Sequence, residues 1–280
     1  MADDSPPADT SVAHDFDAAI SLLPRAENLW QGHTSPAYAN MVGPFGGIMA
    51  AQALNAVLQH PQRLGEPASL TVNFAAGMAD GPFEVEARPA RTNRSTQHWV
   101  IEVRQQAQVV LTATALSAAR RDTWGSQSDS PMPDVPPPEA VAPASARGRV
   151  EWINRYESRF IEGSFPAAWD GTDHGQSRTR LWLRDRPARP LDFASLTALA
   201  DVFYPRIWRR RASPVPIGTV SMTVYFHAGA AQLQATGSGY LLGQAQAQAF
   251  QRGFFDQTAQ LWNQAGELLV TTHQLVYYKE

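Results

Sequence analysis

Cysteine is absent from the 280 residues. That excludes disulfides, thiolate metal sites and a cysteine nucleophile, and it is compatible with a reducing cytosol. Charge is scarce as well: Asp, Glu, Lys and Arg make up 18% of the chain and the net charge is −3, so no broad basic surface argues for nucleic acid. No segment approaches the ~20 apolar residues of a membrane-spanning helix. The beginning, Met-Ala-Asp-Asp-Ser-Pro-Pro, has neither a basic cluster nor an apolar run, unlike a secretory signal. The expectation is a cytoplasmic protein with no membrane and no nucleic-acid partner. The histidines show no metal-ligand clustering, so no metal site is expected. A Ser-His-Asp hydrolase is also disfavoured, because Gly237-Ser238-Gly239 lacks the spacing of a nucleophile elbow.

What is present is a repeat. Residues Ser69-Leu70-Thr71-Val72-Asn73-Phe74-Ala75-Ala76-Gly77 return as Ser221-Met222-Thr223-Val224-Tyr225-Phe226-His227-Ala228-Gly229, identical at six of nine positions. Both copies alternate polar and apolar residues, the period of a half-buried strand. A second echo follows each copy. Gln106-Ala107 precedes Val109-Val110-Leu111-Thr112, and Gln264-Ala265 precedes Leu268-Leu269-Val270-Thr271. Two ordered matches, 152 and 159 residues apart, argue for a duplicated domain.

Taken in order, the chain opens with a Pro-, Asp- and Ser-rich tail, residues 1–14, expected to be disordered. Val42-Gly43-Pro44-Phe45-Gly46-Gly47 leads into Ile48 to Leu58, an Ala-rich helix with almost no charge, which predicts burial on nearly every side. Strands are expected at 68–75, 82–91 and 97–118, the last folded around a turn near Gln105–Gln108. A buried helix followed by antiparallel strands makes an α+β unit spanning residues 15–122. Residues 123–148 are rich in proline and read as a semi-rigid linker that holds no core element. The second unit, 149–280, opens with strands at Trp152–Phe160 and Thr179–Leu183. A helix over Leu191–Tyr204 follows and is ended by Pro205. Strands at 218–228, 231–243, 246–257 and 258–278 complete the copy.

Several residues could carry chemistry. Asp201 falls in the last turn of the second helix, where the dipole opposes a negative charge and raises its pKa, beside the small residues Ala194, Thr197 and Ala198. It is either functional or an exposed carboxylate at a frayed end; a capping Asp belongs at the other end, where Asp192 sits. Gln274 shares a strand face with Leu268, Val270, Thr272 and Val276; it either finds partners inside or lies on a solvated face. Thr219 opens the second repeat strand, and alternation groups it with Ser221, Thr223 and Tyr225, opposite Val220 and Met222. At Phe45-Gly46-Gly47 the uncovered N–H groups of a helix start could stabilise an oxyanion, or the glycines could simply serve a tight loop. Arg206, Arg209 and Arg210, with Arg211 and the upstream Arg184, Arg186 and Arg189, could meet phosphates or form a solvated face.

From Trp30 to Lys279 the chain resembles the acyl-CoA thioesterase II type of double-hotdog protein. The resemblance rests on Phe45-Gly46-Gly47 with Ala51-Gln52-Ala53-Leu54, on Ser69-Leu70-Thr71-Val72-Asn73-Phe74, on Gly218-Thr219-Val220 running to Tyr225-Phe226-His227, and on Thr271-Thr272-His273-Gln274. It implies two fused hotdog domains, each a long helix wrapped by an antiparallel sheet, and homo-oligomers of such units. It implies hydrolysis of an acyl-CoA thioester with no cofactor, by a water held between Asp201, Thr219 and Gln274. Ser221 or Thr223 could stand in for Thr219. Phe45, Gly46 and Gly47 would serve the oxyanion and substrate, and Arg206, Arg209 and Arg210 the CoA phosphates. The enoyl-CoA hydratases of this scaffold follow their Asp with a His five residues on; here Arg206 stands at that distance. A non-catalytic acyl-CoA or lipid-binding protein is the alternative.

Overall fold

The computed structural model describes residues 13–127, 129–145 and 150–280. Of the expected tail, residues 1–12 lie outside the described residues. His14, at its end, caps a short helix α1 (Asp15–Ala19), accepting from the Phe16 N–H. The first half continues with β1 (Leu23–Ala26), β2 (Leu29–His33), α2 (Gly46–Leu58), β3 (Glu66–Phe74), β4 (Pro82–Thr92), β5 (Thr96–Gln105) and β6 (Gln108–Ala118). The second contains β7 (Tyr156–Glu162), β8 (Thr179–Asp185), α3 (Phe193–Leu199), α4 (Arg206–Arg211) and β9 (Ile217–Phe226). It ends with α5 (Ala230–Thr236), β10 (Leu241–Gln246), β11 (Phe250–Gln251), β12 (Phe254–Asn263) and β13 (Leu268–Tyr278).

All strands join one antiparallel sheet in the order β1-β2-β4-β5-β6-β3-β9-β13-β12-β10-β8-β7, with β11 beside β12. The two repeat strands, β3 and β9, are the central pair. Ser69 faces Tyr225, Thr71 faces Thr223 and Asn73 faces Ser221. Thr71 and Thr223 are equivalent residues of the repeat, so the pseudo-twofold axis passes between them, and their hydroxyls lie 3.1 Å apart. The sheet wraps both α2 and α3. This is a double hotdog.

α2 is buried from Gly47 to Val57, as its lack of charge predicts. Its two amides are not orphaned: Gln52 Nε2 donates to Ala19 O at 2.8 Å and Asn55 Nδ2 to Ile20 O at 2.7 Å, tying the chain's first segment over the helix. The second helix is shorter than expected. α3 starts on an Asp192–Ser195 capping box and stops at Leu199. The chain then turns before α4. The expected strand at 231–243 is also revised, because Ala230 to Thr236 form α5 and only Leu241 onward is extended. Ala, Gln and Leu are good helix formers, and this local preference prevails where the sheet does not recruit them.

The proline-rich segment does more than connect. Met132, Val135 and Val141 pack on Trp182, Tyr240, Leu242, Trp262 and Leu268 on the outer face of the second half. The indoles of Trp182 and Trp262 donate to Pro136 O at 2.8 Å and Ser130 O at 3.0 Å. Apart from one 3-10 turn at Pro138–Ala140, proline keeps the segment irregular, yet such a chain can still lay apolar side chains on a sheet.

Candidate active site

A cavity of about 910 Å³ lies where the two halves meet, lined by the start of α2, the turn after α3 and strands β9, β12 and β13. It lies at the upper end of the ~300–1,000 Å³ typical of small-molecule sites, which leaves room for an extended ligand. Most of its wall is apolar. Phe45 stacks on Trp152 with ring centroids 4.1 Å apart and planes 7° from parallel, joining a residue of each half. Further round, Phe165 stacks on Tyr204 at 4.3 Å.

Two acids line this wall: Glu157, which is paired with Arg159 and Arg184, and Asp201, which has no such cation. Asp201 lies just beyond α3, with its N–H on Ala198 O, and its side chain reaches across to the first half. The carboxylate accepts from Gln274 Nε2 at 2.7 Å on Oδ1 and from the Gly47 N–H. Its Oδ2 is 2.9 Å from where a Cβ on Gly46 would stand, so glycine is what lets carboxylate and helix start approach. Its pKa is raised to about 7. Burial does this by disfavouring the charge, against the lowering effect of the bonds from Gln274 and Gly47. The expected cause, the unfavourable end of its own helix, is therefore not what decides: the carboxylate points at the favourable N-terminus of α2.

Gln274 reaches Asp201 because β13 alternates regularly and puts it on the inner face. Thr219 reaches the cavity for a different reason. β9 carries an extra residue, Val220, at a bulge where Leu275 faces Ser221 but Val276 faces Thr219. The bulge breaks the alternation read from the sequence and turns Thr219 onto the face of Met222 and Gln274. Of the three candidate hydroxyls only Thr219 lines the cavity. Thr223 is bonded to Thr71 instead.

Phe45 and Gly46 line the cavity, whereas Gly47 lies behind them with its N–H committed to Asp201. Of the candidate arginines, Arg206, Arg209 and Arg210 do not line the cavity, whereas Arg186 of the upstream group does. Arg206 corrects the phosphate expectation: it is fully buried and donates to Tyr204 O, Ser177 O and Thr179 Oγ1. With no carboxylate paired to it among the described residues, its pKa falls to about 10, through burial. Arg210 pairs with Asp173, and Arg209 Nε is buried with no partner among the described residues. The cavity wall takes Trp208 from this stretch.

Several polar wall residues escaped the sequence reading, among them Glu157 and the deeply buried Gln257. Gln257 on β12 faces Gln274 and is 2% exposed. The signal was available, since Phe255, Gln257, Ala259 and Leu261 alternate as one inward row, but it fell where two expected strands met. Among the described residues no three His, Asp or Glu side chains converge as metal ligands, and no helix is long and apolar enough to cross a membrane.

Solved structures place this architecture among known proteins. A conserved protein of unknown function with a hot dog fold from Alicyclobacillus acidocaldarius is 46% identical, with a TM-score of 0.90 over 96% of this chain and 99% of that one. A tesB protein of Mycobacterium avium subspecies paratuberculosis is 20% identical, with a TM-score of 0.77 over 95% and 98%. The acyl-CoA thioesterase II TesB2 of Mycobacterium marinum is 17% identical, with a TM-score of 0.72 over 94% and 98%. No curated protein matches the sequence. The family model for the acyl-CoA thioesterase N-terminal domain matches residues 35–118, and that for the C-terminal domain matches residues 132–278. With both domains matched in order along one double hotdog, the chain belongs to the acyl-CoA thioesterase family and is a thioester hydrolase.

Proposed function

We propose that the cavity hydrolyses an acyl-CoA thioester to the free acid and CoA, with Asp201 as general base. The observation that carries this reading is the 2.7 Å bond from Gln274 to Asp201 at the mouth of α2, inside a cavity roofed by apolar side chains. A carboxyl group held near pH 7 is ionised often enough to accept a proton and acidic enough to return it. In this mechanism Asp201, Thr219 and Gln274 hold one water. Asp201 takes its proton as the water oxygen attacks the thioester carbon. The carbonyl oxygen becomes an oxyanion facing the start of α2, where Gly46 is the cavity-lining N–H and Gly47 steadies the base. The intermediate collapses, the C–S bond breaks, and the departing thiolate recovers the proton from Asp201. Thiolates leave readily, so the route needs neither metal nor covalent intermediate. The acyl chain lies along the aromatic wall of Phe45, Phe74, Phe160 and Phe255. The folding units of this reading are residues 15–122 and 149–280, with 123–148 between them.

The test is thiol release from a panel of acyl-CoAs of differing chain length and branching. Turnover of at least one member is the expected result. Binding of acyl-CoA without release of thiol would instead favour a binding protein that kept the cleft and lost the reaction.

A further inference from the structure

Gln257 occupies a place where a hydrophobic residue would be the ordinary choice. It stands in the inward row of β12 between Phe255 and Ala259, all three buried. Its amide forms no hydrogen bond with any described residue, although it carries two N–H donors and a carbonyl acceptor. The side chain opens on the cavity alone, so a ligand entering there is the partner its donors and acceptor would meet. Gln257 lines that cavity. It is also the cross-strand partner of Gln274, which places the two Cβ atoms ~4.5–5.5 Å apart on one face. Gln274 is already committed to Asp201. Gln257 is the uncommitted amide beside it.

The thioester oxygen, meanwhile, is short of donors. Of the N–H groups at the start of α2, Gly47 serves Asp201, which leaves Gly46 among the glycines lining the cavity there. An oxyanion forming in a water-poor site is stabilised by preorganised donors. We propose that Gln257 is a further catalytic residue: its amide N–H donates to the thioester carbonyl oxygen and to the oxyanion that develops on it. This deepens the proposed reaction and rests on Asp201 being its base. No bond to Gln257 forms or breaks and it gains no proton. It follows the oxygen as charge builds when water adds, and releases it when the C–S bond breaks and the carbonyl re-forms.

The experiment measures kcat and KM for Gln257→Met and Gln257→Ala on the best acyl-CoA of the panel, with Asp201→Asn in parallel. Methionine keeps the length and apolar packing of the side chain while removing the donors. Loss of a transition-state donor predicts a kcat lower by ~100-fold or more, with KM within about 3-fold of the parent. Affinity for a thioether analogue of CoA, which has no carbonyl, should not change. A Gln257→Met enzyme with kcat within about 3-fold of the parent, or a loss confined to KM, would overturn the assignment. So would a Gln257→Met chain that fails to fold, since an amide without internal partners does not hold the fold together. If Asp201→Asn is inactive while Gln257→Met turns over normally, only the role of Gln257 fails. If Asp201→Asn also turns over normally, the whole site is misplaced.

Discussion

The two halves share a frame and differ in what they mount on it. Both repeat strands carry the same bulge, at Ala68 in β3 and at Val220 in β9, exactly one repeat apart. In the second half the bulge aims Thr219 inward; its counterpart in the first half is the buried Pro67. Gln274 faces Met222, and in the same register of the first half Ala115 faces Leu70. Gln257 faces Gln274, and there Trp99 faces Ala115. Hydroxyl, amide and amide on one side thus become proline, alanine and tryptophan on the other. The Trp99 ring fills the space, and its indole N–H is satisfied by Ser117 Oγ at 3.1 Å. A duplicated scaffold offers two pseudo-equivalent crevices. This chain keeps the polar set in one and packs the other.

The comparison is broken most severely by Asp201→Asn. It removes the base while keeping the size of the side chain, and kcat for thiol release should fall at least ~100-fold with the fold intact. Near-full turnover would remove Asp201 from the chemistry. Gln274→Ala makes the second half resemble the first at one position. It should lower kcat by roughly 30-fold, since it misplaces water and base together. Because the Gln274 bond holds the Asp201 pKa down, its loss should also move the acidic limb of the rate profile to higher pH; a limb that stays put would contradict the bond. Thr219→Val should cost about 10-fold in kcat, as one of several groups fixing the water. The reverse exchange has the smallest effect on activity. Ala115→Gln in the first half should leave kcat unchanged and destabilise the fold by ~1–3 kcal/mol, by burying an amide where no carboxylate awaits it. A gain in turnover there would mean that the packed crevice is competent after all.

Much of the frame could be read from residues alone. The repeated strand announced the duplication, and its pairing across Thr71 and Thr223 is the structural meaning of that repeat. The uncharged run after Gly47 announced a helix buried on every side. Asp201 and Gln274 were visible because each was out of place for its local pattern. The rest depended on events that alternation cannot encode. One inserted residue at Val220 reverses the face of Thr219, and no periodicity marks where a strand will bulge. Arg206 looked like part of an exposed cationic run, but the chain folds it inward to bond Tyr204 O and Ser177 O, carbonyls far apart in sequence. The direction of the Asp201 side chain was read from its own helix, whereas its field comes from a helix nearly 150 residues earlier in the chain. The proline-rich stretch was legible as irregular but not as the cover over Trp182 and Trp262. Long-range packing settled each of these points.

The central claim is that a carboxyl group of the second half, docked on the first half's helix, is the base. Its most direct test is kcat/KM for thiol release against pH, in the parent and in Asp201→Asn. Burial raises the Asp201 pKa to about 7, and only the ionised form can accept a proton. The parent rate should therefore climb as pH rises through about 7 and level off above it, while Asp201→Asn should be slow and lack that limb. A parent limb that persists unchanged in an active Asp201→Asn enzyme would assign the titration, and the catalysis, to another group.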